Sequence, residues 1–398
     1  MAEVVKRLFS DGFRVFFLAA GLFAVFAGIV WGLWLGVHAM GGMWNATPYG
    51  MAPHLWHAHE MIFGYGAAAL GGFFLTAVPT WTGGPGARPA FIAAVALLWF
   101  AGRLAMWYSA SLAPWAVALA DLAFLPVLAS QVAGSLMRRP KPQNVMFLGF
   151  LLLLWLSNLI VHLEWNGLAG DTAANGLRAG LLTLCALIST LGGRIIPAFT
   201  GNAIQQAGNG AGRMPRSVAP LDRGALILSL ALPVTLLAGL PAAVSATAAL
   251  LLGAVQMARL SGWRARWTLR QPILFALHLG FGMLALGLIL WGAAGLGFGS
   301  EVAALHVLGI GAVGGMTAAV MSRAALAHSG RDPVAPGPLV LAFGLIAAAA
   351  AVRWLGSTLP AEWYFPAMLG ASVLWSLAFS LYLASLWAAL VGQVKKLE

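Results

Sequence analysis

Histidines are the residues of this sequence best suited to chemistry. The chain has eight histidines, and six stand at the ends of long apolar segments, on what we assign below as the outer side of a membrane: His38, His54, His57, His59, His162 and His306. A neutral imidazole is the commonest metal ligand in proteins and binds haem iron, copper or zinc. The cluster predicts a haem or metal site, although a single interfacial histidine more often only hydrogen-bonds a headgroup or a carbonyl.

The spacing of the histidines limits how they can share a metal. His57 and His59 are two residues apart, so on a regular helix they point about 200° away from each other. They therefore serve different centres, or the helix is distorted where they lie. A haem with two histidine ligands needs two helices, and His162 and His306 are available as partners. His278 lies deeper in its segment and is a further candidate for a haem ligand.

Charged residues inside apolar segments are costly and carry functional information. Glu60 follows His59 directly and is predicted to orient its ring or to carry protons, with Arg103 near the same membrane side. Arg194 and Arg323 lie deeper and could anchor haem propionates or a quinone headgroup. Alternatively, these two arginines have no ligand and only extend their charged groups to the inner membrane interface. A single cysteine excludes an intrachain disulfide, a c-type haem motif and a thiolate metal cluster.

The elements that position these residues are membrane-spanning helices. Of 398 residues, 61% are apolar and only 8% are charged, against about 25% charged in an average soluble domain. This composition excludes a soluble enzyme and a disordered protein, and it predicts an all-α polytopic membrane protein in a single transmembrane domain, 1–398. The apolar segments predict twelve spans: 13–39, 55–79, 90–107, 112–136, 144–163, 178–199, 223–240, 242–260, 272–294, 301–327, 338–356 and 363–391.

The basic residues predict the orientation of these spans. With the N-terminus inside, 18 of the 22 lysines and arginines fall on the inner side, so both termini are predicted to be cytoplasmic. This bias also explains the net charge of +11. We therefore expect the lipid bilayer, and no nucleic acid, as the partner of the basic residues.

A glycine pair recurs at even spacing in three spans. The pairs are Gly71-Gly72, Gly192-Gly193 and Gly314-Gly315, and they are separated by 121 and 122 residues. The spacing suggests weak four-helix repeats over 13–136, 144–260 and 272–391, with a possible pseudo-threefold arrangement. Close helix packing at small residues is the simpler explanation, because the chain has 49 glycines.

Several longer stretches together resemble one known family. They are Trp56 to Gly64, Thr76 to Gly83, Asn158 to Glu164, Gly192 to Asn202, and His306 to Arg331. In this order they cover nearly the whole chain and resemble the NnrS family. One motif departs from the family: its usual Gly-His-Thr-Gly-Arg reads Ala327-His328-Ser329-Gly330-Arg331 here, and a serine can replace the threonine hydroxyl.

The resemblance implies a function and a set of ligands. It implies a bacterial inner-membrane protein that contains haem and copper and is tied to nitric oxide metabolism and nitrosative stress. It also makes His57, His59, His162, His278 and His306 the best haem or metal candidates. The cofactors expected on this basis are haem b and copper, or non-haem iron in place of copper.

We therefore expect a haem protein that binds nitric oxide and reduces it by 2 NO + 2 e⁻ + 2 H⁺ → N₂O + H₂O. His57, His59 and His306 are predicted to hold the second metal, and Glu60, Glu301 and Arg103 to carry protons. Quinol is the simpler electron donor, because no c-type haem motif is present. Two alternatives stay open: a non-enzymatic protein that binds nitric oxide or metal nitrosyls and protects iron pools, and a twelve-helix transporter without a cofactor.

Overall fold

The computed structural model describes residues 2–208 and 213–393, and the described residues form helices with no strand among them. Twelve helices are long and apolar enough to cross a membrane, which confirms the predicted class and the predicted number. We number them span 1 to span 12: Gly12–Ala39, Pro53–Thr82, Pro89–Trp107, Pro114–Met137, Pro142–Trp165, Ala173–Gln206, Ala219–Leu237, Ala242–Ser261, Pro272–Gly295, Glu301–His328, Gly337–Leu355 and Ala361–Leu390. The chain is a multi-pass membrane protein. The orientation of its termini stays a prediction.

Proline sets many of the helix starts. Spans 2, 3, 4, 5 and 9 each begin at a proline, a residue that fits the first helical position because the N–H it lacks has no partner there. The largest boundary difference is in span 6, predicted over 178–199 and observed over Ala173–Gln206. Its 34 residues extend about 50 Å, so span 6 is longer than the apolar layer of about 30 Å.

The chain divides into two compact units. Unit 1 holds the described residues of 1–180, 324–332 and 379–398, and unit 2 holds those of 181–323 and 333–378. Unit 1 therefore contains spans 1 to 5, and unit 2 contains spans 7 to 9 and span 11.

In unit 1 the glycine pair of span 2 packs against aromatic rings. A Cβ atom on Gly72 would lie 2.5 Å from the Phe17 ring, and one on Gly71 would lie 3.1 Å from the Phe124 ring. The absent side chains therefore let neighbouring rings contact the backbone of span 2.

A buried arginine joins the first and last spans within unit 1. Nη1 of Arg14 donates to the carbonyls of Ala389, Leu390 and Gly392 at 3.3, 3.0 and 3.1 Å. These carbonyls lie at the C-terminal end of span 12, where helix carbonyls lack partners within the helix and the helix dipole favours a cation. Arg14 therefore caps the C-terminal end of span 12.

The glycine pairs of unit 2 also lie at close contacts. A Cβ on Gly192 would lie 2.9 Å from the Phe281 ring, and one on Gly314 would lie 2.5 Å from the Trp375 ring. A Cβ on Gly193 would overlap the guanidinium of Arg259. Close packing thus accounts for a glycine of every pair, and the four-helix repeat stays a prediction.

Candidate metal centre

Six polar side chains from spans 2 to 5 form one buried cluster in unit 1. None is more than 7% exposed. We call them the polar cluster: His59, Glu60, Arg103, Asp121, Asn158 and His162. Because unpaired polar groups inside a membrane protein are costly, their contacts with one another decide whether the cluster is stable and what it can bind.

Span 2 changes its helical geometry where it enters the cluster. Residues Glu60–Gly66 form a π-helical segment directly after His59. The indole of Trp99 donates to the carbonyl of Gly64 at 2.9 Å. A Cβ on Gly64 would lie 3.0 Å from Nη1 of Arg103, so the glycine lets the guanidinium approach. Single π-helical turns occur frequently at functional sites.

Span 4 is interrupted next to its cluster residue. The helix Pro114–Leu122, which carries Asp121, is separated at Ala123 from the helix Phe124–Met137. Pro126 has no N–H to donate to the carbonyl of Leu122, as helical pairing would require. The indole of Trp155 in span 5 donates to that carbonyl instead, at 3.2 Å. The interruption and its partner therefore fix the end of the helix that presents Asp121.

Asp121 has the most contacts in the cluster. Its Oδ2 accepts from Nδ2 of Asn158 at 2.7 Å and lies 2.9 Å from Nε2 of His162. Its Oδ1 accepts from the guanidinium of Arg103, which also donates to Glu60. One arginine thus joins the carboxylates of spans 2 and 4.

The ring of His59 lies between oxygen atoms on both sides. Its Nδ1 is 3.0 Å from Oε1 of Glu60, and its Nε2 is 2.9 Å from Oδ1 of Asn158 and 3.2 Å from Oδ2 of Asp121. Asn158 cannot reverse its amide, because its Nδ2 donates to Asp121. A neutral imidazole has only one N–H, so one of its two nitrogens faces acceptors without a proton to share.

The charges of the cluster also indicate that a proton or another cation is missing. With both carboxylates ionised and both imidazoles neutral, two negative charges meet the single positive charge of Arg103. Burying an uncompensated charge in a low-dielectric interior is strongly unfavourable. The cluster is therefore balanced by one more positive charge, supplied by a proton on a carboxylate or on the ring of His59, or by a metal ion at Nε2 of His59.

Three of the side chains fit a metal ion. Ligand atoms of His59, Asp121 and His162 all lie within 4.8 Å of one another. Ligand atoms that bind one ion at about 2.0–2.2 Å stand about 3–3.5 Å apart. Oδ2 of Asp121 is 3.2 Å from Nε2 of His59 and 2.9 Å from Nε2 of His162. Two imidazoles and one carboxylate are the ligand set of non-haem iron(II) sites, whereas copper(I) prefers thiolate and thioether sulfur.

The other predicted histidine ligands have different surroundings. His57 stacks on Trp31 with ring centroids 4.5 Å apart, outside the three-ligand group. In unit 2, Nδ1 of His278 is 2.9 Å from the carbonyl of Leu274, and Nε2 is 3.1 Å from the carbonyl of Trp263. Because backbone carbonyls face both nitrogens, haem iron could bind His278 only after one contact breaks.

His306 has one ring nitrogen against a backbone carbonyl, as His278 does. Its Nδ1 is 2.7 Å from the carbonyl of Val302, one turn earlier in the same helix. Metal-binding histidines commonly donate one ring N–H to a backbone carbonyl in this way. His306 also stands directly before a second π-helical segment, Val307–Gly314. Both histidines that precede π-helical segments, His59 and His306, were predicted ligands.

The two predicted anchoring arginines belong to unit 2. The guanidinium of Arg323 lies 4.1 Å from the centroid of the Phe199 ring, which is a cation–π contact. Arg194 is exposed rather than buried. Their role in holding a haem or a quinone stays a prediction.

Sequence reasoning missed two members of the cluster as site residues. Asp121 is the one acidic residue in the apolar segment that forms span 4, and an ionisable residue inside a membrane span is itself a signal of a functional site. Asn158 belongs to a stretch that carries the family resemblance, but an amide in a helix gives no signal of metal chemistry. The structure assigns Asp121 to the ligand group and Asn158 to its support.

Comparison with known proteins gives one family. A family model described as NnrS protein matches residues 7–393, nearly the whole chain. No curated protein matches the chain.

Proposed function

The chain belongs to the NnrS family, and from this we propose that it is a metalloprotein of the bacterial inner membrane that binds nitric oxide at an ion held by His59, Asp121 and His162. Family membership supports a membrane protein tied to the response to nitric oxide. The metal, the haem and the reduction of nitric oxide are parts of the proposal.

One observation carries the metal site. The buried ring of His59 is enclosed by oxygen atoms at both nitrogens, in a cluster where two carboxylates contact one guanidinium. A metal ion at Nε2 relieves both problems at once, because it gives the ring nitrogen a partner and compensates the carboxylate.

Each side chain of the cluster then has a defined task. The carboxylate of Glu60 accepts the Nδ1–H of His59, which directs the Nε2 lone pair toward the ligand group. Asn158 holds Oδ2 of Asp121 through its amide N–H. Arg103 bonds both carboxylates and so limits their mutual repulsion. When bound, the metal supplies an open coordination position at which nitric oxide can bind.

The ligand set favours non-haem iron over copper(I) for this site. Haem b is proposed as a separate group. Among its four predicted ligands, His278 and His306 lie outside the polar cluster and would hold the haem, whereas His59 and His162 contact the carboxylates of the cluster. Arg194 and Arg323 stay the proposed partners of the propionates.

The proposed reaction consumes two electrons and two protons for each pair of nitric oxide molecules. Nitric oxide is neutral and soluble in lipid, so it can reach a buried cluster through the bilayer. Protons need side chains, and Glu60 is the proposed carrier because it lies next to His59, with Arg103 positioning its carboxylate. Quinol is the proposed electron donor.

Measurements on purified protein test the proposal. Metal content, pyridine haemochrome and the optical spectrum with nitric oxide are compared between the wild type, His162→Ala and His54→Ala. His54 is an exposed histidine of the same span as His59 and is the matched control. We expect His162→Ala to lose the non-haem metal and its nitric oxide spectrum, and His54→Ala to keep both. Equal metal content in His162→Ala and the wild type would contradict the site.

Headspace analysis separates binding from reduction. Reduced wild-type protein given nitric oxide is expected to release N₂O. A nitric oxide spectrum without N₂O would support the non-enzymatic binding protein. A colourless, metal-free wild type from cells supplied with iron and haem would contradict both and favour the transporter.

A further inference from the structure

Unit 2 contains a charged cavity at one end of the hairpin formed by spans 7 and 8. The cavity measures about 290 Å³ and is lined by residues just before span 7 and at the end of span 8. Its charged lining residues are Arg216, Asp222 and Arg259. They carry two positive charges and one negative charge, which leaves the cavity with a net charge of +1.

Arg259 is held in this cavity by a specific set of contacts. It is only 7% exposed. Its Nε donates to Asp222 at 2.8 Å, and its Nη1 donates to the side-chain oxygen of Gln256 at 2.7 Å and to the carbonyl of Ser189 at 3.2 Å. Trp263 lies under the guanidinium, with 5.4 Å from Cζ to the ring centroid. The contacts described for Arg259 therefore use Nε and Nη1.

Two glycines make this arrangement possible. Gly193 in span 6 has no side chain where a Cβ would overlap Nη2 of Arg259. Gly262 lets the loop before span 7 approach, since its Cβ would lie 2.8 Å from the carbonyl oxygen of Arg216. The backbone N–H of Arg216 donates to the carbonyl of Gly262 at 2.9 Å. The backbone of the exposed Arg216 is thereby held at the rim of the cavity that contains the buried Arg259.

Two guanidinium groups around one cavity are typical of a phosphate site, because guanidinium donors match phosphate oxygens in pairs. The carboxylate of Asp222 reduces the net charge of the cavity to +1, which balances the single negative charge of one phosphodiester. Hydroxyls of Ser217 and Ser261 add to the polar lining. Basic pockets between membrane helices bind anionic lipid headgroups, and spans 7 and 8 also carry large exposed apolar side chains, among them Ile227 and Leu251.

We infer that this cavity binds one singly charged phosphate group between Arg216 and Arg259, either in the headgroup of an anionic phospholipid or as soluble phosphate. This site is separate from the polar cluster, and it does not depend on the function proposed above.

Delipidated full-length protein in detergent tests the inference. Binding of dioctanoyl phosphatidylglycerol, dioctanoyl phosphatidylcholine and inorganic phosphate is measured by native mass spectrometry and by the shift in Tm. Arg216→Gln removes one guanidinium from an exposed position. Arg213→Gln removes the same charge from an exposed residue of the same loop outside the lining, and is the matched control. Ser217→Trp fills the cavity from its exposed rim without a change of charge.

We expect phosphatidylglycerol to bind the wild type and Arg213→Gln alike, and to bind Arg216→Gln and Ser217→Trp at least about tenfold more weakly. Competition by inorganic phosphate at similar concentrations would identify soluble phosphate as the ligand, and its absence would identify the lipid. Equal binding to Arg216→Gln and the wild type, equal binding of phosphatidylcholine, or no binding of either anionic probe would overturn the inference.

Discussion

Asp121→Asn is the sharpest test of the polar cluster. The substitution keeps the shape of the side chain and removes one negative charge. Asp121 is a proposed metal ligand and also accepts from Arg103 and Asn158. After the change, Glu60 alone balances Arg103, so the cluster no longer needs an additional cation.

The size of the effect follows from linkage between binding and folding. A metal at 100 times its Kd stabilises the wild type by about 2.7 kcal/mol. Loss of an outer partner of a metal ligand typically reduces affinity by about 10–100-fold, so loss of the ligand carboxylate itself should cost at least about 100-fold. The same metal concentration then equals the Kd of the variant, and the stabilisation falls to about 0.4 kcal/mol.

The assay is the thermal unfolding of detergent-purified protein. Each protein is treated with a chelator, and Tm is recorded before and after anaerobic addition of Fe(II), with Zn(II) as an ion that does not change oxidation state. We expect Fe(II) to raise the Tm of the wild type and to leave the Tm of Asp121→Asn nearly unchanged.

Asp222→Asn is the matched control for this experiment. It also removes a carboxylate from a buried guanidinium, at 2.8 Å from Nε of Arg259, but it lies outside the ligand group. It should lower Tm in chelator and keep the full shift on addition of Fe(II). A Tm shift in Asp121→Asn equal to that of the wild type would refute the reasoning, because the cluster would then bind metal without this carboxylate or not at all.

Two further substitutions test contacts that support the two units. Gly193→Ala should lower the free energy of unfolding by about 3–5 kcal/mol, because the new methyl group displaces the buried Arg259 from Asp222. Gly134→Ala is the control, because a Cβ at Gly134 meets open space, and it should have little effect on Tm. Trp155→Phe should cost about 1–3 kcal/mol and weaken metal binding, because it leaves the carbonyl before the break in span 4 without a donor. The same change at Trp115, which is 64% exposed, should leave both measurements unchanged.

The fold could be predicted from the sequence to the level of its spans. Long apolar segments separated by short polar loops gave the correct number of helices, because the apolar layer of a membrane demands such lengths. The break at Ala123 in span 4 was not predicted, since a proline inside an apolar segment is tolerated where neighbouring groups bond the freed carbonyl. The partner here is Trp155, which only the packing of spans 4 and 5 reveals.

The candidate site could be predicted only in part. Residue type and position in a span marked His59, Glu60, Arg103 and His162 one at a time. Which of them meet depends on the rotation of each helix about its axis, and a π-helical segment such as Glu60–Gly66 changes that rotation. Periodicity counted along a regular helix does not include this change.

A comparison of Arg103 with Arg259 explains why we assign metal binding to the polar cluster. Arg259 lies against one carboxylate, Asp222, and its other contacts are an amide oxygen, a backbone carbonyl and two aromatic rings. One acidic group is therefore enough to keep a guanidinium buried in this fold. Arg103 contacts two carboxylates, and two imidazoles lie against the same groups. Stability of the guanidinium does not require the second carboxylate, which adds desolvation cost and repulsion. The second carboxylate is explained if the cluster holds a cation between His59, Asp121 and His162.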